Sequence, residues 1–365
     1  MLNFFRRRKD AIASSVLALE AYAVPSALRE RLALFLQNSD SRELYRANPR
    51  RIAERLGLNE RETLRLLVIA VKQGLMTLNW EVQCPCCKGI DFSPKGLYDL
   101  RTSHTCVSPA CKHVHATDAD EQVRVTFSVD TRLRPLDAKA NDPDFRASID
   151  ARYGVVSGHR LLTLQIFRDL FPRETIPPNE SLVVQRVAIL FSDLAGSTAL
   201  YARRGDSRAY NLVRQHFALL FSIVDEHNGV VVKTIGDAVM AAFTDPADAV
   251  SAAIAMHQQL ALLNQQLELS EDDLLILKIG IDVGPCISVT LNDRPDYFGT
   301  TVNTAARVQG TSKGNDIAMT DPVLKDPRAT TLLEGYSSVR NELLLKGLDT
   351  PTLVHHLALT TEARI

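Results

Sequence analysis

No stretch of the 365-residue chain runs for about 18 uncharged apolar positions, so the sequence offers no membrane-spanning helix. Internal repeats and low-complexity tracts are also missing. Tryptophan occurs once and the net charge is only −1, yet 45% of residues are hydrophobic and 23% charged, the balance of a globular protein. A disordered chain and a collagen-like chain are thereby excluded. Cysteine is scarce outside one window: five of the six fall between Cys84 and Cys111. That clustering excludes a disulfide-dense secreted scaffold, reads as a metal site and points to a cytoplasmic home. Arg6-Arg7-Arg8-Lys9 before an Ala/Leu-rich stretch mimics a signal peptide, but Asp10 and Glu20 interrupt the apolar part, so a surface helix is expected.

Length suggests two domains or so, and the pattern divides the chain further. Residues 1–80 read as helical, with Ile52, Leu56, Leu64, Leu67, Val68 and Val71 at helical spacing. Gly57-Leu58-Asn59 breaks this run, and Asn59 can cap the next helix. The resulting helix–turn–helix shape suits a DNA reader or, more simply, a helical support. The 14 Lys/Arg against eight Asp/Glu in residues 1–80 are a weak basic excess, so nucleic acid is not the expected partner. Residues 81–128 are Cys-rich. Residues 129–180 are Pro-studded and loop-prone, a linker or transducing segment, with Pro177-Pro178-Asn179-Glu180 as the boundary before a regular region at 181–365.

In that last region Val187 to Phe191 reads as a buried strand. A helix capped by Asp206 or Ser207 follows, with Val213, Phe217, Leu220, Phe221 and Val224 on its apolar face and Asn228-Gly229 at its end. Val230 to Ile235 and Ala238 to Phe243 read as a hairpin turning at Gly236-Asp237. A helix starting at Asp245-Pro246 and a strand over Leu275 to Val283 complete β-α-β-β-α-β, the ferredoxin-like unit of an α/β (α+β) fold. In that topology the first and third strands are neighbours, so Asp193 and Asp237 should meet at one sheet edge. Two facing carboxylates call for a cation, and hard oxygen ligands suit Mg²⁺. Gly196, Ser197 and Thr198 open a helix whose N–H groups can hold phosphate. Asn303 and Arg307 share a helix face downstream of Asp296.

These residues carry a resemblance. Phe191-Ser192-Asp193-Leu194-Ala195-Gly196-Ser197-Thr198, Lys233-Thr234-Ile235-Gly236-Asp237, Asp296-Tyr297-Phe298-Gly299 with Asn303 and Arg307, Ile279 to Gly284 and Leu345-Lys346-Gly347-Leu348 resemble the catalytic domain of class III adenylate cyclases over about 184–360. The resemblance implies conversion of ATP to cyclic AMP and pyrophosphate with two Mg²⁺ or Mn²⁺ per site. It makes Asp193, Asp237 and the Leu194 carbonyl the metal ligands. Gly196, Ser197 and Thr198 lie at the phosphates, Lys233 and Asp296 select the base, Asn303 orients the ribose and Arg307 stabilises the transition state. It further implies a head-to-tail homodimer in which Asp193 and Asp237 of one chain face Lys233, Asp296, Asn303 and Arg307 of the other. A guanylate cyclase, or a DNA-binding regulator with a nucleotide-sensing cyclase-like domain, are the alternatives.

The Cys-rich segment resembles the N-terminal region of a group of bacterial adenylate cyclases. Its pairs Cys84/Cys87 and Cys106/Cys111, 18 residues apart, approach the spacing of a structural Zn²⁺ ribbon, with Cys86 spare. His104, His113 or His115 could replace one thiol. A regulatory role for this front half is expected.

Overall fold

Local signals decide where the helices begin. In the computed structural model, which describes residues 11–359, Asn59 accepts from the Glu62 backbone while the Glu62 side chain reaches back to Asn59, a reciprocal cap. Gly57, at φ +61°, ends helix α1 (Pro49–Leu56) before helix α2 (Glu60–Lys72). Thr63, Leu64, Leu66, Leu67, Val68, Ile69 and Ala70 of α2 are all buried, so this helix is built into a core. The expected surface helix around Arg6-Arg7-Arg8-Lys9 lies outside the described residues.

The chain forms two compact units, a front one that runs to Leu182 and takes in Asn292–Arg294, and a rear one of Val183–Leu291 and Pro295 onward. In the front unit β1 (Met76–Gln83) lies between β2 (Ile90–Phe92) and β5 (Val123–Val129), and every residue of β5 is buried. A separate ribbon pairs β3 (Ser103–Thr105) with β4 (Val114–Ala116). The loop expected over 129–180 is largely absent. Helices α3 (Pro143–Tyr153), α4 (Gly158–Leu162) and α5 (Gln165–Leu170) occupy it. Pro143 stands in the first turn of α3, where a missing N–H costs nothing, and Asp142 caps it. Leu161, Leu162, Leu164 and Phe167 are buried, and Phe167 packs edge-on against Trp80 at 6.2 Å.

The rear sheet has the order β12-β13-β11-β9-β6-β8-β7, with β10 beside β9. Its strands are β6 (Leu182–Leu194), β7 (Gly229–Ile235), β8 (Ala238–Phe243), β9 (Leu277–Leu291), β10 (Arg294–Phe298), β11 (Asp316–Thr320), β12 (Ser338–Leu343) and β13 (Thr352–Ala358). The run β9-β6-β8-β7 with its helices is the expected ferredoxin-like unit, extended past β9 by β11, β13 and β12. Both β6 and β9 outrun their apolar cores. Helix α6 (Ser197–Arg204) leads into α7 (Asp206–Glu226), and α8 (Pro246–Gln266) follows β8. The expected cap of α7 is corrected. Gly205, at φ +74°, is the N-cap and Asp206 the first helical residue, its carboxylate favourable at the positive helix end. Phe221 is exposed, whereas Val213, Leu220 and Val224 pack into a core with Leu190, Val239 and Ile279. β12 closes one edge of the sheet and is exposed along nearly its whole length.

Candidate active site

β6 and β8 pair antiparallel with Ser192 opposite Val239. Gly236, at φ +63°, closes the β7–β8 hairpin tightly and sets Asp237 beside the end of β6. Asp193 and Asp237 consequently face each other. Burial, then the charge of Asp237, holds the Asp193 carboxyl above the usual aspartate range. Oδ2 of Asp237 is buried with no hydrogen-bond partner. A repelling carboxylate pair with an orphaned oxygen fits a divalent cation, which would satisfy both defects.

Leu194 is buried, and the next N–H, from Ala195, donates to the Ile276 carbonyl at 2.8 Å. Gly196 then adopts φ +71° and opens α6 with no side chain capping the first turn. A Cβ at Gly196 would meet nothing within 4 Å, so there is open space before the helix end that Ser197 and Thr198 start. The first N–H groups of a helix have no partner within it, so a helix start at open space can receive phosphate oxygens.

Lys233, four residues before Asp237, is partnered elsewhere. Its Nζ lies 2.6 Å from Oδ2 of Asp296 on β10 and 5.3 Å from the centre of the Phe298 ring. The Asp296 side chain is buried, and its Oδ1 accepts from the Tyr297 N–H at 2.8 Å. The pair is thus a fixed donor beside a fixed acceptor.

Helix α9 (Thr300–Gln309) presents Asn303, exposed, and Arg307, half-buried, on one face. Among the described residues neither makes an ion pair or hydrogen bond to Asp193 or Asp237. Backbone contacts position α9. A Cβ on Gly280 of β9 would fall 2.1 Å from the Gln309 nitrogen, and the Thr301 hydroxyl donates to the Pro285 carbonyl at 2.7 Å. Gly347 makes room for Arg307, whose guanidinium passes 3.2 Å from where a Cβ would stand.

Two polar residues here are buried, which the sequence reading did not anticipate, although it placed Asp282 in the Ile279 to Gly284 segment. His216 on α7 is fully buried, neither ring nitrogen is hydrogen-bonded, and burial pushes its pKa down to about 4. Asp282 on β9 is raised by burial to about 6 while accepting from the Thr320 hydroxyl at 2.5 Å. Both read as ordinary polar residues, since nothing in a linear pattern marks a polar residue as buried.

In the front unit the sulfurs of Cys84, Cys87, Cys106 and Cys111 lie within 4.8 Å of one another. The Cys84–Cys111 and Cys87–Cys106 distances are 3.8 and 3.5 Å. These are too long for disulfides and near the roughly 3.8 Å edge of a tetrahedron built on Zn–S bonds of about 2.3 Å. Lys88 and Lys112 follow the second cysteine of each pair with left-handed φ of +60° and +48°, closing two matching turns. Cys86 is exposed. His115 is occupied otherwise, by Asp91 at 3.2 Å and Gln122 at 2.7 Å.

The sequence model of the adenylate and guanylate cyclase catalytic domain matches residues 180–356, and a family of unknown function matches 11–151. A candidate adenylate cyclase of Rhizobium meliloti is 30% identical over 166 residues, 44% of this chain and 27% of that protein. The receptor-type guanylate cyclase gcy-5 of Caenorhabditis elegans is 28% identical over 203 residues, 52% of this chain and 17% of that one. The chain therefore spans under a third of the length of either relative. Among solved structures, an adenylyl cyclase from P. aeruginosa aligns with a TM-score of 0.44 and 22% identity, covering 49% of this chain and 96% of that one. Residues 180–356 are an adenylate and guanylate cyclase catalytic domain.

Proposed function

We propose that the chain is an adenylate cyclase, forming cyclic AMP and pyrophosphate from ATP at sites shared by a head-to-tail homodimer. The facing of Asp193 and Asp237, one with an orphaned oxygen, is the observation that carries this reading. Those carboxylates and the Leu194 carbonyl would hold two Mg²⁺ or Mn²⁺ ions. When bound, such ions would supply the positive charge that acidifies the ribose 3′-hydroxyl. The 3′-oxygen attacks the α-phosphorus in line, the bond to the β-phosphate oxygen breaks, and pyrophosphate leaves. The amides of Gly196, Ser197 and Thr198 hold the outgoing phosphates. Arg307 stabilises charge on the transferring group and Asn303 orients the ribose, so the chain contributes mainly position and electrostatics.

The Lys233–Asp296 pair supports ATP as substrate, because an ammonium donor beside a carboxylate acceptor matches adenine N1 and the N6 amine. Guanine offers an acceptor at O6 and a donor at N1, and relatives of both kinds match, so guanylate cyclase is the competing reading. Purified chain assayed with ATP or GTP and with Mg²⁺ or Mn²⁺ decides. Cyclic AMP, absent with Asp193→Ala, is expected. Cyclic GMP alone reverses the base assignment, and no product from either the whole chain or residues 181–365 refutes the cyclase. The front unit, holding a structural Zn²⁺ on Cys84, Cys87, Cys106 and Cys111, regulates this activity in our reading.

A further inference from the structure

A cavity of about 580 Å³ opens on the front unit beside β1, the start of α3 and the turn at Tyr45-Arg46. Its wall is charged and partly buried. Arg124 pairs with Glu81 at 3.0 Å and with Asp150 at 2.7 Å, and Arg46 pairs with Glu81 at 2.6 Å. Glu81 and Arg124 are only 3% and 7% exposed. Those two arginines and two acids balance. Lys88 and Arg146 also line the cavity, and among the described residues neither has a carboxylate partner. Arg146 is steadied instead by Asn141 Oδ1 at 3.0 Å and by the Tyr45 ring, 5.7 Å from its guanidinium carbon. The cavity therefore carries two positive charges in excess next to apolar surface from Tyr45 and Ile90.

Arg46 and Lys88 both stand on turns, with φ of +47° and +60°, and that of Lys88 is the turn that follows Cys87. The Arg46 N–H donates to Ser128 Oγ at 2.9 Å and the Lys88 N–H to the Cys84 carbonyl at 3.0 Å. A network that merely ties α3 to the sheet accounts for Glu81, Arg124 and Asp150. It leaves the charges of Lys88 and Arg146 without a carboxylate among the described residues.

We propose that this cavity binds a small organic anion, an oxyanion on an apolar body, with the charge on Arg146 and Lys88 and the body against Tyr45 and Ile90. Its size is that of a small-molecule site. Lys88 belongs to the turn that follows Cys87, so the occupant touches the loop that sets the cysteine cluster. The proposal is independent of the cyclase reading.

The test is calorimetric titration of the full chain with benzoate, phenyl phosphate, inorganic phosphate and neutral benzamide. Saturable binding of benzoate or phenyl phosphate at one per chain is expected, with none for benzamide. Whichever anion binds identifies a carboxylate or a phosphate as the headgroup. Arg146→Gln and Lys88→Gln should each weaken binding at least tenfold without moving the melting temperature of the unliganded chain. If Arg146→Gln misfolds, Lys88→Gln decides. The proposal falls if neither organic anion binds, or if inorganic phosphate or benzamide binds equally well. It also falls if binding survives both substitutions or is abolished by Arg307→Ala, which would put the anion in the cyclase site.

Discussion

Asp282 has a sign of pH dependence that can be read from its burial. Its folded pKa of about 6 exceeds the unfolded value near 3.9, so the native state binds the extra proton. The stabilisation is complete below about pH 4 and is lost as the pH rises through 6. Asp282→Asn keeps the oxygen that accepts from Thr320 and removes the charge. Denaturant unfolding should show the variant equal to the parent near pH 4 and more stable, by up to about 3 kcal/mol, at pH 8. Arg307 differs in kind, because its role in our proposal is confined to the transition state. Arg307→Ala should lower kcat by about 10³-fold or more while ATP binding changes far less, and steady-state kinetics with nucleotide titration would check the split. The meeting of Asp193 and Asp237 was legible in the sequence because strand order and one tight turn determine it. The orphaned nitrogens of His216 and the raised Asp282 were not, because a polar letter on a helix or strand carries no record of what packs over it.

At the scale of elements, α9 is located by contact with β9 more than by its own sequence. Gly280→Ala inserts a methyl 2.1 Å from the Gln309 backbone, so the helix must shift. The expected outcome is a chain that folds, melts several degrees lower and loses at least tenfold in turnover through displaced Asn303 and Arg307, measured by calorimetry and product assay. β8 shows what patterning does well. Ala238 to Phe243 is wholly apolar and bounded by a turn and an Asp-Pro start, and the strand has those limits. β6 begins five residues before its expected start, since Gln185 and Arg186 break the apolar run while Leu182 and Val184 remain buried. The prolines of 129–180 misled for another reason. Pro143 starts a helix as readily as proline ends one, and only the neighbouring Asp142 cap separates the two cases.

At the scale of the molecule, sharing of sites between chains makes a test available. Asp237→Ala and Arg307→Ala, each inactive alone, should regain up to about a quarter of parental activity when mixed one to one. Random pairing makes half the dimers mixed, and each mixed dimer has one intact site of two. Mixed dimers that form without activity would refute shared sites. The four-thiol cluster is tested by metal analysis. Reduced protein should contain about one Zn²⁺ per chain, lost in Cys87→Ser with a lower melting temperature. The exposed edge at β12 has a further consequence. With almost no side chain buried, the strand is tied to β13 mainly by main-chain hydrogen bonds, and its other row of amides faces outward. Deuterium should enter there well before it enters β8 or β9, fraying the sheet from that margin inward. The charges of Arg340 and Glu342 then deter a second extended chain from docking along the open row.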